Sequence, residues 1–243
     1  MARVEVVEDE AALAEAAARV AIAGIEAAVD AHDTGTWVLT GGRTPVAAYH
    51  RLASHDLRPG VEWDRVRVAI GDERCVPPDH PDSNWGQAAA ALLDHVPVPD
   101  EHLLRIRGEA PPGHAAIEYE TLLRTLPPAR GGVPRLELVW LGVGPDGHCL
   151  SLFPGRPELD ERTRLVVPVR NAPKPPPDRI SLTLVALAGV ERLTVIATGE
   201  AKAAVIAKAL AGDDSLPISR AVATVVQAGG EVTWLLDRAA AGG

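Results

Sequence analysis

Asp146 and His148 stand two residues apart in the run Gly142-Val-Gly-Pro-Asp-Gly-His-Cys-Leu-Ser-Leu-Phe-Pro154. A carboxylate that orients an imidazole makes a general acid–base pair, and histidine is the side chain whose unperturbed pKa suits proton transfer at neutral pH. Gly142, Gly144 and Gly147 surround the pair. The apolar segment 136–141 before it reads as a buried strand. Open α/β sheets carry their chemistry on glycine-rich loops that follow strands. Taken alone, Asp-Gly-His is equally compatible with an ordinary turn. Ser151 lies close to His148 and raises the possibility of a serine hydrolase. No Gly-x-Ser-x-Gly elbow occurs, however, and serine triads draw their members from different loops.

Three more segments share the form of a strand end, a glycine turn, then polar residues. Leu39-Thr-Gly-Gly-Arg-Thr-Pro45 offers Gly41, Gly42, Arg43 and Thr44 as an anion cradle at the start of a helix, where backbone N–H groups and the helix dipole favour phosphate. Thr198-Gly-Glu-Ala-Lys202 puts a lysine in a first helical turn, where it opposes the dipole unless an anion binds beside it. Gly71-Asp-Glu-Arg-Cys-Val-Pro77 sets Asp72, Glu73 and Arg74 directly after an apolar strand. Arg74 there suits a carboxylate, a phosphate or a developing oxyanion. The plain alternatives are a simple turn, a solvated lysine and a surface ion-pair network. In a parallel sheet, strand C-termini share one edge, so the segments 40–45, 71–84, 142–154 and 198–202 are expected to line one crevice.

The elements that must position these loops follow from periodicity. Strands are expected over 3–7, 36–40, 65–70, 136–141, 164–169, 179–184, 192–198 and 231–236. Helices are expected over 9–29, 45–53 with Thr44 as N-cap, 84–93 with Asn84 and Gln87 forming a capping box, 114–126 and 200–210. The stretches 71–83, 97–112, 127–134 and the proline-rich 171–178 read as loops. Strands alternating with helices predict a three-layer α/β sandwich, with a mostly parallel Rossmann-like sheet and helices on both faces. At 243 residues, with no internal repeat or long linker, one domain over 1–243 is expected.

Apolar residues make up 47% of the chain, enough for a sizeable core. The net charge of −9 argues against a nucleic-acid partner, which requires a basic face, but permits a local basic pocket. Lysine occurs only at 174, 202 and 208. Cys75 and Cys149 match no metal spacing and are expected as free thiols. No signal pattern opens the chain and no apolar run is long enough for a membrane span, so a cytoplasmic location without membrane association is expected.

These motifs, together with Ser83-Asn84 and Pro-Pro-Asp-Arg179-Ile-Ser-Leu-Thr, occur in the order found in 6-phosphogluconolactonases, which the chain resembles from about residue 5 to 237. The resemblance implies the fold shared with glucosamine-6-phosphate deaminases and ribose-5-phosphate isomerases. It implies hydrolysis of 6-phosphoglucono-1,5-lactone, a small sugar-phosphate lactone, to 6-phosphogluconate in the oxidative pentose phosphate pathway. No metal or organic cofactor is implied. The oligomeric state, monomer or homodimer, stays open. His148 would be the general base, Asp146 its orienting partner, and Arg74 the donor to the carbonyl oxygen or a hydroxyl. Residues 41–44, Lys202 and Arg179 would hold the 6-phosphate, and Asp72 would touch substrate or position Arg74. The deaminase relatives typically carry Ala-Phe-Asn-Glu-Pro after the histidine and tyrosine at the position of Arg74. Here Leu150-Ser-Leu-Phe-Pro154 follows, with Phe153 where their acid would stand. Arg43 stands where lactonases often carry serine. Two alternatives remain: an isomerase or deaminase using Asp72 as base, and a non-catalytic sugar-phosphate sensor.

Overall fold

The computed structural model describes residues 2–243. The strands are β1 (Ala2–Val7), β2 (Gly35–Leu39), β3 (Val66–Ile70), β4 (Asp72–Arg74), β5 (Leu103–Leu104), β6 (Leu136–Gly142), β7 (Val166–Val169), β8 (Arg179–Leu182), β9 (Val190–Ala197) and β10 (Glu231–Asp237). The helices are α1 (Glu10–His32), α2 (Arg43–Leu52), α3 (Asn84–Ala91), α4 (Pro112–Leu123), α5 (Leu184–Leu187), α6 (Ala203–Leu210), α7 (Pro217–Ala228) and α8 (Arg238–Ala241).

Seven strands form one parallel sheet in the order β1-β10-β9-β6-β2-β3-β5. β2 is buried along its whole length, as expected of a strand covered on both faces. The expected sandwich is therefore present. The chain runs from β2 to β3 on one side and later returns to β6 on the other, so β2 and β6 flank a topological switch point, where such sheets bind ligands. A second sheet, β4-β8-β7, is antiparallel. Part of the stretch expected as a loop after β3 is thus a strand, paired with β8 through Asp72↔Ser181 and Arg74↔Arg179.

α1 packs a face of Ala14, Ala17, Ala18, Ala21 and Ile25 onto the large sheet, small side chains that admit a close approach. Asp9 caps it, accepting the Ala12 N–H at 2.8 Å. α7 was not expected from the periodicity. Its signals are Pro217 in the first turn, Ile218, Ala221 and Val225 buried on one side, and a left-handed Gly229 at its end.

The two tyrosines of the chain perform the same task at two strand ends. The Tyr49 hydroxyl, from α2, donates to Thr40 O at 2.9 Å and accepts the Thr40 N–H at 3.0 Å. The Tyr119 hydroxyl, from α4, donates to Ile70 O at 2.7 Å and accepts the Ile70 N–H at 3.0 Å. Both rings are fully buried, and Tyr49 stacks on Trp140 at 5.6 Å, which in turn meets Trp37 edge-on at 4.9 Å. Each tyrosine therefore pins the last residues of a strand just before a loop that enters the site. Tyr119→Phe removes both bonds to Ile70 and is expected to cost about 1–3 kcal/mol, read as a lower urea midpoint at unchanged m-value.

Candidate active site

The C-terminal ends of β9, β6, β2 and β3 lie side by side on one edge of the sheet. Residues following all four line a single cavity of about 200 Å³: Gly41 to Pro45, Asp72 and Arg74, Gly142 to Gly144 with His148 to Leu150, and Lys202. Arg179 from β8 and Asn84 from α3 complete the wall. The convergence expected from topology is present. Among the lining residues Arg43, Arg74, Arg179 and Lys202 carry positive charge and Asp72 alone carries negative charge. A chain with a net charge of −9 thus concentrates cations at one concave site, a field that attracts anionic ligands.

At the β6 end, His148 Nδ1 meets Asp146 Oδ1 at 2.5 Å. An ionised carboxylate only accepts, so Nδ1 carries the proton and Nε2 is the basic nitrogen. Burial pulls the His148 pKa down and outweighs the upward pull of Asp146, leaving it below the ordinary value. Burial pushes the Asp146 carboxyl up, but the His148 bond and charge bring it below the ordinary range. The pair needs Gly144: a Cβ there would sit 2.1 Å from His148 Nδ1. The Phe153 ring packs on the imidazole at 4.7 Å, with the Arg179 guanidinium 5.7 Å from the ring centre on the same phenyl group. Ser151 is no nucleophile here. It is fully buried and donates to Asp72 Oδ2 at 2.5 Å.

Asp72 and Arg74 are held by the residue between them. Glu73 is 1% exposed. Its Oε1 accepts the N–H of Arg74 and of Asn84, both at 2.7 Å. Its Oε2 accepts the Trp85 N–H at 2.8 Å and the Ser83 hydroxyl at 2.9 Å. A carboxylate at a helix N-terminus satisfies its free donors and suits its dipole. Burial nevertheless raises the Glu73 pKa, against the pull of these four donors. Ser83, not Asn84, is the N-cap of α3, accepting the Gly86 N–H at 3.0 Å. Gln87 donates outward to Pro81 O, so the expected capping box is absent. Asn84 turns inward and donates Nδ2 to Asp72 O at 2.9 Å. Arg74 gives Nη1 to Asp82 O at 2.7 Å, which aims the guanidinium along the cavity wall.

At the β2 end, Gly42 with φ 110° is the N-cap of α2, so Thr44 sits inside the helix rather than capping it. The Thr44 hydroxyl instead bonds the Thr198 hydroxyl at 2.8 Å and ties the cradle to the lysine turn. Burial lowers the Lys202 pKa and the Arg43 charge lowers it further, with Asp237 opposing. Two cations on the lining of one cavity suit an anion.

Arg179 is 4% exposed and heavily engaged. It donates Nε to Pro176 O at 3.1 Å and Nη2 to Lys174 O and Pro175 O at 3.0 and 3.2 Å. It braces the proline-rich loop while lining the cavity. That loop delivers a residue the sequence reading overlooked. Lys174 Nζ lies 3.5 Å from Asp146 Oδ1. Its signal was scarcity: two of three lysines in the chain stand at this site.

Cys75 and Cys149 are free thiols. Burial pushes Cys75 up to about 12 and Cys149 higher, which removes nucleophilic character at neutral pH. Among the described residues no group of three or more His, Cys, Asp or Glu could hold a metal, and no helix is long and apolar enough to cross a membrane.

Residues 8–234 match the family described as glucosamine-6-phosphate isomerases/6-phosphogluconolactonase. The chain belongs to that family. A relative from Mycobacterium leprae named 6-phosphogluconolactonase is 37% identical over 99% of this chain and 97% of its own. The human protein of that name is 38% identical over 84% of this chain and 78% of its own. A solved 6-phosphogluconolactonase from Trypanosoma brucei superposes with TM-score 0.86 at 28% identity, covering 100% of this chain and 98% of that one. The chain is thus an enzyme of this family.

Glu73→Ala leaves three backbone N–H groups and one hydroxyl without their acceptor. It is expected to cost about 3 kcal/mol or more in urea unfolding, with Glu73→Gln, which keeps one acceptor oxygen, falling between it and the wild type.

Proposed function

We propose that this chain hydrolyses 6-phosphoglucono-1,5-lactone to 6-phosphogluconate, with His148 as general base. The observation that carries the reading is the Asp146–His148 pair beside Phe153 in a cation-lined cavity. An apolar ring stands where the deaminase branch carries an acid, so the imidazole has a carboxylate partner on one nitrogen only. The lactonase names of relatives spanning nearly the whole chain support the same substrate.

A lactone is an activated cyclic ester and needs no covalent intermediate. Water attacks C1 while neutral His148 Nε2 takes one of its protons. Asp146 fixes the tautomer and stabilises the imidazolium that forms. General-base help of this kind contributes about 10²–10⁴-fold. Negative charge grows on the former carbonyl oxygen, and the Arg74 guanidinium is the donor for it. One such donor contributes on the order of 3 kcal/mol. The C1–ring oxygen bond then breaks, the imidazolium returns its proton to that oxygen, and the new carboxylic acid loses its remaining proton to solvent.

The phosphate is distant from this chemistry. The backbone of Gly41, Gly42 and Thr44, the Arg43 side chain and Lys202 hold it. Binding there orients C1 toward His148 without joining the reaction. Arg179 contributes through the field and through the loop it braces.

The test follows lactone generated freshly by a glucose-6-phosphate dehydrogenase, with product read through a 6-phosphogluconate dehydrogenase and spontaneous hydrolysis subtracted. His148→Asn is expected to lower kcat by about 10²-fold or more at similar KM. Lys202→Ala is expected to raise KM about tenfold or more with kcat little changed. Full kcat in His148→Asn would remove the base, and an unchanged KM in Lys202→Ala would remove the phosphate site. Turnover of glucosamine 6-phosphate in place of the lactone would favour the deaminase chemistry.

A further inference from the structure

Asn84 holds a buried polar atom that the mechanism above does not use. The residue is 2% exposed, lines the cavity, and its Oδ1 accepts no hydrogen bond from the protein. A buried acceptor without a donor is costly, and in a binding site it marks a place for a ligand's donor.

The amide cannot escape by turning over. Its Nδ2 donates to Asp72 O at 2.9 Å and lies 3.4 Å from Asp72 Oδ1. Reversed, its oxygen would face two acceptor oxygens. The backbone is fixed as well, because the Asn84 N–H donates to Glu73 Oε1. On the other side Oδ1 presses against Gly41: a Cβ there would lie 1.9 Å from it. Gly41 is thus needed for room beside Asn84, apart from any contact with phosphate.

The chemistry of the cavity says which donor is wanted. Arg43, Arg74, Arg179, Lys202 and the cradle N–H groups all donate, and they suit the phosphate and the lactone carbonyl. Ring hydroxyls also carry protons that need acceptors. Asp72 is partly occupied, since its Oδ2 takes the Ser151 hydroxyl. Asn84 Oδ1 remains as a neutral, oriented acceptor between the cradle and Asp72.

We infer that Asn84 Oδ1 accepts a hydrogen bond from one secondary hydroxyl of the sugar ring, and so makes the enzyme selective for the hydroxylated lactone over its deoxy analogue. This rests on the lactonase reading and adds a specificity residue to it. A site built to bond a hydroxyl rejects the analogue that lacks it.

The experiment measures kcat/KM of the wild type and of Asn84→Ala on 6-phosphoglucono-1,5-lactone and on its 2-, 3- and 4-deoxy analogues, with thermal melting as the check on folding. The wild type is expected to lose about tenfold or more on one analogue. Asn84→Ala is expected to lose a similar factor on the parent lactone and on the two analogues that keep that hydroxyl, and nothing on the analogue that lacks it. A variant that keeps the wild-type discrimination on all three overturns the inference, as does one slowed equally on every substrate. If Asn84→Ala does not fold, Asn84→Ser is used in its place under the same criteria. A wild type indifferent to all three hydroxyls overturns the inference whatever the variants do. A wild type inactive on the parent lactone overturns the lactonase reading itself, and this inference with it.

Discussion

The Glu73 carboxylate is the interaction on which the site depends. Four donors from two segments converge on its two oxygens: the Arg74 N–H on its own strand, and the Ser83 hydroxyl with the Asn84 and Trp85 N–H groups at the start of α3. Removing a carboxylate from water is expensive unless its hydrogen bonds are replaced, and here they are replaced by groups that a helix N-terminus leaves free. The consequence is geometric. With Glu73 turned inward, its neighbours Asp72 and Arg74 alternate to the cavity side of β4, and α3 is held where Asn84 reaches between them. A charged run at a strand end becomes one buried strut and two cavity-facing groups.

The opposing charges elsewhere follow the same logic. Burial penalises the Lys202 charge, and the neighbouring Arg43 charge adds to that penalty. An anion bound beside both cations would relieve that cost, which fits the phosphate position proposed above. In the proposed reaction His148 is the base: burial lowers its pKa, which favours the neutral imidazole, and the bond to Asp146 orients the ring. Lys174 adds a positive charge beyond Asp146. The Tyr49 and Tyr119 hydroxyls fix the strand ends from which two of the cavity loops leave.

Much of this was legible in the sequence because strand ends in a parallel sheet converge. The loops bearing Gly41, Asp72, His148 and Lys202 could be assigned to one crevice without coordinates. What stayed hidden was set by contacts between segments far apart in the chain. Ser83 rather than Asn84 caps α3 because Glu73 competes for the Asn84 N–H and Asp72 O takes the Asn84 amide. Arg179 stands opposite Arg74 at the cavity because β8 runs antiparallel to β4, a pairing that local periodicity does not encode. Lys174 meets Asp146 only through that braced loop. Helix α7 was the exception: its Pro217 start, Gly229 stop and helical spacing of buried residues were present locally.

In the proposed mechanism a neutral, buried His148 removes the proton from attacking water. Its most direct test is the pH profile of kcat/KM for the lactone, taken as the ratio of wild type to His148→Asn so that titration of the substrate phosphate cancels. A base works only when deprotonated, and burial holds this imidazole below its ordinary value near 6.5. The ratio should therefore be flat from neutral pH upward and fall with a single ionisation below about 6.5. A ratio that shows no acid limb, or one whose limb lies well above that value, would remove His148 from the role of base.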